Sequence, residues 1–124
     1  MMTDSTPPEP TGDDPTTRSP VELTDGTDYD ELLATHDLVL LEFVTSGCGI
    51  CASMEPVLGV VARSAPGVVA TVNAGHVPDL TAEFDVRSVP TLVVLRDGEA
   101  VARFDDGFQQ ADTLVDALET HAAQ

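Results

Sequence analysis

The chain has 124 residues and a net charge of −17, with 22 Asp and Glu against five basic residues, all of them Arg. That length sets one domain as the expectation, and the charge excludes a nucleic-acid partner, because a phosphate backbone needs a basic face. Two cysteines three apart cannot build the disulfide framework of a small secreted domain, and the start of the chain has neither the basic stretch nor the apolar core of a secretory signal. No run reaches the roughly 18 apolar residues of a membrane span, so a cytoplasmic protein is expected.

Residues 1–20 carry five of the nine prolines among Thr, Ser and Asp. Burial cannot offset the ordering entropy of such a segment, which is read as a disordered acidic leader to a domain over residues 21–124. The leader holds a net charge of −3, which leaves −14 on the domain. Val21 to Leu23 is expected to be a short edge strand. A helix capped by Thr27 or Asp28 then runs to about His36, with Leu32 and Leu33 inward.

The apolar run Leu38 to Val44 predicts a buried strand, interrupted only by Glu42. A helix over Cys48 to Arg63 follows, with Met54, Val57, Leu58 and Val61 on one face and a bend at Pro56. Val68 to Val72 predicts a strand between Pro66-Gly67 and Asn73-Ala74-Gly75. Pro78 to Phe84 predicts a short helix, since Pro suits a first turn. Thr91 to Leu95 and Ala100 to Phe104 are strands joined by a tight Asp97-Gly98 turn. A last helix runs from Gln110 to His121, with Leu114, Val115 and Leu118 inward. Aromatic residues are 4% of the chain and Trp is absent, so the core is built mainly of Val, Leu and Ala. The element order implies an α/β fold, a mixed sheet with helices on both faces.

Cys48-Gly49-Ile50-Cys51 stands where a strand hands over to a helix. The first amides of a helix are unpaired and its dipole favours an anion there, which lowers a thiol pKa. A C-x-x-C in that setting reads as a redox motif. The other reading of the residues is a pair of structural, buried thiols.

Four features in register make the chain resemble the thioredoxin family over residues 21–122. They are the C-x-x-C, Pro56 eight residues after Cys48, the segment Ser88-Val89-Pro90-Thr91 before an apolar strand and an Asp-Gly hairpin, and Glu42-Phe43 six residues before Cys48. The resemblance implies a thioredoxin fold and a thiol–disulfide oxidoreductase that reduces protein disulfides. Cys48 is then the attacking thiolate and Cys51 resolves the mixed disulfide. Glu42 matches an acid implicated in proton transfer with the inner cysteine, and burial would raise its pKa; the alternative is a Glu42 that points at solvent. Gly49, Ile50, Val89 and Pro90 match substrate-contacting positions, with Val89-Pro90 expected to be a cis bond whose backbone pairs with a bound peptide. The alternative there is a trans proline that merely starts a strand.

The chain also departs from the family pattern. Gly47 stands where a Trp is usual and Ile50 where a Pro is usual, which predicts a pair less reducing than a typical thioredoxin. Thr71 aligns with a position that often holds lysine, leaving Glu42 without a cationic neighbour. Gly107 matches the groove-lining glycine only approximately. No cofactor is implied beyond a reversible Cys48–Cys51 disulfide. The implied partners are disulfide-containing client proteins and an electron donor, either a disulfide reductase or a small thiol, with the chain a monomer. Two other readings compete: a partner-specific redox sensor or binding module on the same fold, and a zinc site assembled from two copies of the C-x-x-C. His36, His76 and His121 have no ligand spacing. The acidic, lysine-free surface is similar to those of proteins from salt-loving organisms, in which molar salt screens self-repulsion.

Overall fold

A computed structural model of the chain describes residues 18–123. The expected leader lies outside the described residues up to residue 17. Of its last three residues, Arg18 donates from a guanidinium nitrogen to the Ala65 carbonyl at 3.2 Å.

The elements follow the expected order. They are β1 (Val21–Leu23), α1 (Gly26–Thr35), β2 (Leu38–Val44), α2 (Gly49–Ser64), β3 (Val68–Asn73), a 3-10 turn at Ala74–His76, α3 (Pro78–Glu83), β4 (Thr91–Arg96), β5 (Glu99–Phe104) and α4 (Ala111–Ala122). The strands form one sheet in the order β1-β3-β2-β4-β5. β1 and β2 both run parallel to β3, whereas β4 runs antiparallel to β2 and β5. β2 is thus the central strand, covered on both faces, which is why it reads as an almost unbroken apolar run.

Alternation along β2 sorts its side chains between two cores. Val39, Leu41 and Phe43 pack with Tyr29 and Leu32 of α1 and Leu80 of α3. Leu38 and Leu40 pack on the other face with Met54, Leu58 and Val61 of α2 and Leu114 and Leu118 of α4. Glu42, two residues beyond Leu40, therefore belongs to the α2 face. α2 continues across Pro56. Leu33, Val57 and Val115, expected inward, are only half-buried.

Several boundaries shift from expectation, and two helix starts do so for plain physical reasons. α1 is capped by Asp25, not by Thr27 or Asp28: the Asp25 carboxylate accepts the Asp28 amide at 2.9 Å. Asp28 sits inside the first turn, and its own carboxylate accepts from the Thr24 amide at 2.9 Å and hydroxyl at 2.7 Å, a reciprocal lock close to a capping box. α2 begins one residue later than expected because Cys48 is its extended N-cap, at φ −86 and ψ 109.

Left-handed backbone shapes two of the turns at the sheet. Asp97 and Gly98 have φ of 53° and 84°, as a primed two-residue hairpin turn demands. Gly67, at φ 90°, enters β3 against β2 so closely that an added Cβ would lie 2.7 Å from the Leu38 carbonyl oxygen.

Candidate active site

β2 ends at Val44, and Thr45-Ser46-Gly47 carries the chain to the head of α2. Gly47 takes a left-handed φ of 77° in that turn. Cys48 and Cys51 are joined by a disulfide, their Cα atoms 5.2 Å apart. The extended backbone of Cys48 turns its sulfur back over the helix end, where it accepts the Cys51 amide at 3.1 Å. Cys48 is half-buried and Cys51 is 6% exposed, so one sulfur faces outward and the other lies a helical turn deeper. Gly49 and Ile50 separate them at the surface, with Ile50 47% exposed.

Glu42 is buried, at 1% exposure, and its Oε2 has no hydrogen-bond partner. The solvent-facing alternative is overturned: the sheet's alternation turns this side chain towards α2. Burial, reinforced by the negative charge of Glu55, pushes its pKa up to about 7. In the sheet Glu42 lies between Thr71 of β3 and Leu92 of β4. The lysine-aligned position is thus directly beside it and carries no charge.

Glu42 opens into a cleft of about 690 Å³ that also reaches Cys48, Cys51, Thr71, Glu22 and Glu55. Sequence reasoning missed the last two. Glu55 follows Cys51 by four residues, a spacing that places both on one side of a helix, and that signal was available. Glu22 joins only through the register of β1 with β3, which no local pattern reveals.

The Val89–Pro90 peptide bond is cis, and Pro90 is buried. This overturns the trans alternative. Thr91, the next residue, pairs with Phe43, so Pro90 lies at the end of the sheet from which β2 leads to Cys48. The Thr91 hydroxyl donates to the Ser88 carbonyl at 2.7 Å and closes that loop. Gly107 has a left-handed φ of 97°, and the neighbouring Phe108 is 51% exposed. The Gln109 amide donates to the Met54 sulfur at 3.4 Å, which anchors this segment on α2 one turn beyond Ile50. Among the described residues, no group of three or more His, Cys, Asp or Glu is arranged to hold a metal ion. No described helix is long and apolar enough to cross a membrane.

The thioredoxin family model matches residues 20–120. A thioredoxin of Staphylococcus saprophyticus is 33% identical over 103 residues, which cover 82% of this chain and 96% of that protein. Thioredoxin-2 of Pyricularia oryzae is 32% identical over 80 residues, 64% of this chain and 47% of the relative's length. Among solved structures, a mutant thioredoxin from Halobacterium salinarum superposes with a TM-score of 0.78 at 33% identity, covering 83% of this chain and 90% of that one. Mitochondrial thioredoxin 3 of Saccharomyces cerevisiae, in its oxidized form, gives 0.70 at 24% identity over 82% and 94% of the two chains, a likeness of fold alone. A match of this extent, joined to a cysteine pair at bonding distance on the head of α2, shows that the chain belongs to the thioredoxin family.

Proposed function

We propose that this chain, a thiol–disulfide oxidoreductase, reduces the disulfides of client proteins by dithiol–disulfide exchange through Cys48 and Cys51. The Cys48 thiolate attacks one sulfur of the client's disulfide. That S–S bond breaks, a mixed disulfide forms, and the released client thiolate takes up a proton. Cys51 then loses its proton and attacks the Cys48 sulfur, freeing the second client thiolate, which is protonated in turn. Two electrons have passed to the client, and Cys48–Cys51 is left as the disulfide. An external dithiol, from a disulfide reductase or a small thiol, returns two electrons and two protons.

The observation that carries this reading is the Cys51 amide directed at the Cys48 sulfur, a donor placed to stabilise a thiolate. Glu42, in the same cleft as Cys51 and with a pKa near 7, takes the Cys51 proton at neutral pH and gives it back when the dithiol is restored. Gly49 and Ile50 contact the client beside the attacked sulfur, and the Val89 backbone pairs with it ahead of the cis Pro90. The cycle needs no cofactor beyond the reversible disulfide. The protein works in the cytoplasm, and its like-charged surface favours a monomer.

Insulin reduction with dithiothreitol in molar KCl tests the reading. Turnover is expected in the wild type and its loss in Cys48→Ser and Cys51→Ser, with Cys51→Ser trapping a mixed disulfide. A wild type that cycles its disulfide yet leaves insulin untouched would instead favour the partner-specific redox sensor.

A further inference from the structure

We infer that the acidic cleft beside the cysteines is a subsite for a cationic group, an ammonium or guanidinium, carried by the disulfide substrate next to the sulfur under attack. The inference rests on the exchange reaction proposed above and names the substrates that reaction favours.

The cleft is assembled from three elements. Glu22, Thr71 and Glu42 are lateral neighbours across β1, β3 and β2. Adjacent strands are about 4.8 Å apart, so this row holds two carboxylate-bearing residues roughly 10 Å apart on one sheet face with a short hydroxyl side chain between them. Glu55 adds a third carboxylate from α2. None of the described residues lining the cleft is Lys, Arg or His.

Acidic side chains at a surface are common and bind nothing in particular. Glu42 is different, because it is 1% exposed and its Oε2 lacks a donor while it lines the cleft. That oxygen is open to an N–H or O–H donor that enters the cleft. The carboxylates are not gathered closely enough to chelate a metal ion. They suit instead a flexible cation that reaches in with several N–H donors. Among the described residues, an added Cβ at Gly47 or Gly49, which flank Cys48, would meet nothing within 4 Å. A disulfide with a carboxylate arm would meet charge of its own sign at the same place.

The test compares three small disulfides with the pre-reduced protein at low salt: cystamine (cationic), hydroxyethyl disulfide (neutral) and dithiodiglycolate (anionic). Each rate is divided by that disulfide's rate with free dithiothreitol. The wild type is expected to favour cystamine over dithiodiglycolate by about tenfold or more, with the neutral compound between. Glu22→Gln/Glu55→Gln is expected to cut that preference to about a third or less, whereas Asp116→Asn/Glu119→Gln, which removes the same charge from α4, preserves it. No preference in the wild type, or an equal fall in both double variants, overturns the subsite. Failure to reduce even hydroxyethyl disulfide defeats the exchange reading instead. Binding is then read without turnover, by titrating the oxidised protein with butylammonium chloride and following its amide NMR signals. Shifts at Glu42, Thr71 and Glu55 support the subsite, and their absence overturns it.

Discussion

The backbone amide of Cys51 donates to the sulfur of Cys48 across 3.1 Å, so the helix turn that carries the inner cysteine also stabilises negative charge on the outer one. In the reduced protein Cys48 is therefore expected to titrate below the ordinary thiol value of about 8.5. The alkylation rate of Cys51→Ser with iodoacetamide as a function of pH reports that midpoint directly. A midpoint at or above the ordinary value contradicts the assignment of Cys48 as nucleophile.

Glu42 makes stability depend on pH in a defined direction. Folded, it keeps its proton up to about pH 7, first because it is buried and second because of Glu55; the ordinary value is 4.5. Between those values the folded state binds more protons than the unfolded state, so stability falls as pH rises through that window and then levels off. The whole loss amounts to about 3 kcal/mol. Glu42→Gln lacks this component, and the difference between the two proteins separates it from repulsion over the rest of the surface. Urea unfolding in molar KCl at about pH 5 and about pH 8 measures it. A difference that is the same at both values sinks the prediction.

Ile50 leaves the backbone between the sulfurs freer than a proline would. The Cys48–Cys51 couple is expected to lie above the roughly −270 mV of a typical thioredoxin, and Ile50→Pro to move it down. Position 50 lies in the first turn of α2, where proline's missing amide costs little. Equilibration with dithiothreitol buffers gives both potentials, and equal values would refute the role of this residue.

Gly67→Ala is expected to destabilise the fold by about 2 kcal/mol or more, since the left-handed φ and the Leu38 carbonyl both oppose a Cβ. Gly26→Ala, at the start of α1 with open space around it, is the control and should cost nothing. Chemical denaturation of the two variants against the wild type decides; equal midpoints would show that β3 can give way.

The melting temperature is expected to rise as KCl goes from low to molar concentration, because mobile ions screen a net charge of −17. A flat or falling trend would count against a halophilic protein.

The scaffold was largely legible in the residues themselves. Leu38 to Val44 could be read as the central strand because burial on both faces leaves room for almost no polar side chain. Met54, Leu58 and Val61 marked the inner face of α2, and Asp97-Gly98 announced the hairpin. What stayed hidden depends on pairing. With Leu41 and Phe43 on either side, nothing local tells which face Glu42 takes; the neighbouring strands decide it. The cap of α1 was misplaced because Asp25, Thr27 and Asp28 are all eligible and only the backbone angle at Asp25 separates them. Glu22 joins the cleft from β1, so no single window of sequence contains the whole site, whereas Glu55 stands four residues after Cys51 on the same helix. The cis Pro90 followed from family resemblance, not from its neighbours.

Glu42 and Thr71, opposite each other on β2 and β3, also discriminate among possible pairings of those strands. In a ladder otherwise made of Leu, Val, Ala and Phe up to Asn73 at its end, sliding one strand past the other costs little beyond a change of shape. A slip of a single residue by β2, however, moves its carboxyl group to the opposite side of the sheet, among Tyr29, Leu80 and Val93, far from the water-accessible hollow. In the native register the carboxyl group borders the cleft, whereas on the other face it would border only apolar side chains, at a greater desolvation cost. One acid in a greasy strand thus keeps the fold from settling out of step.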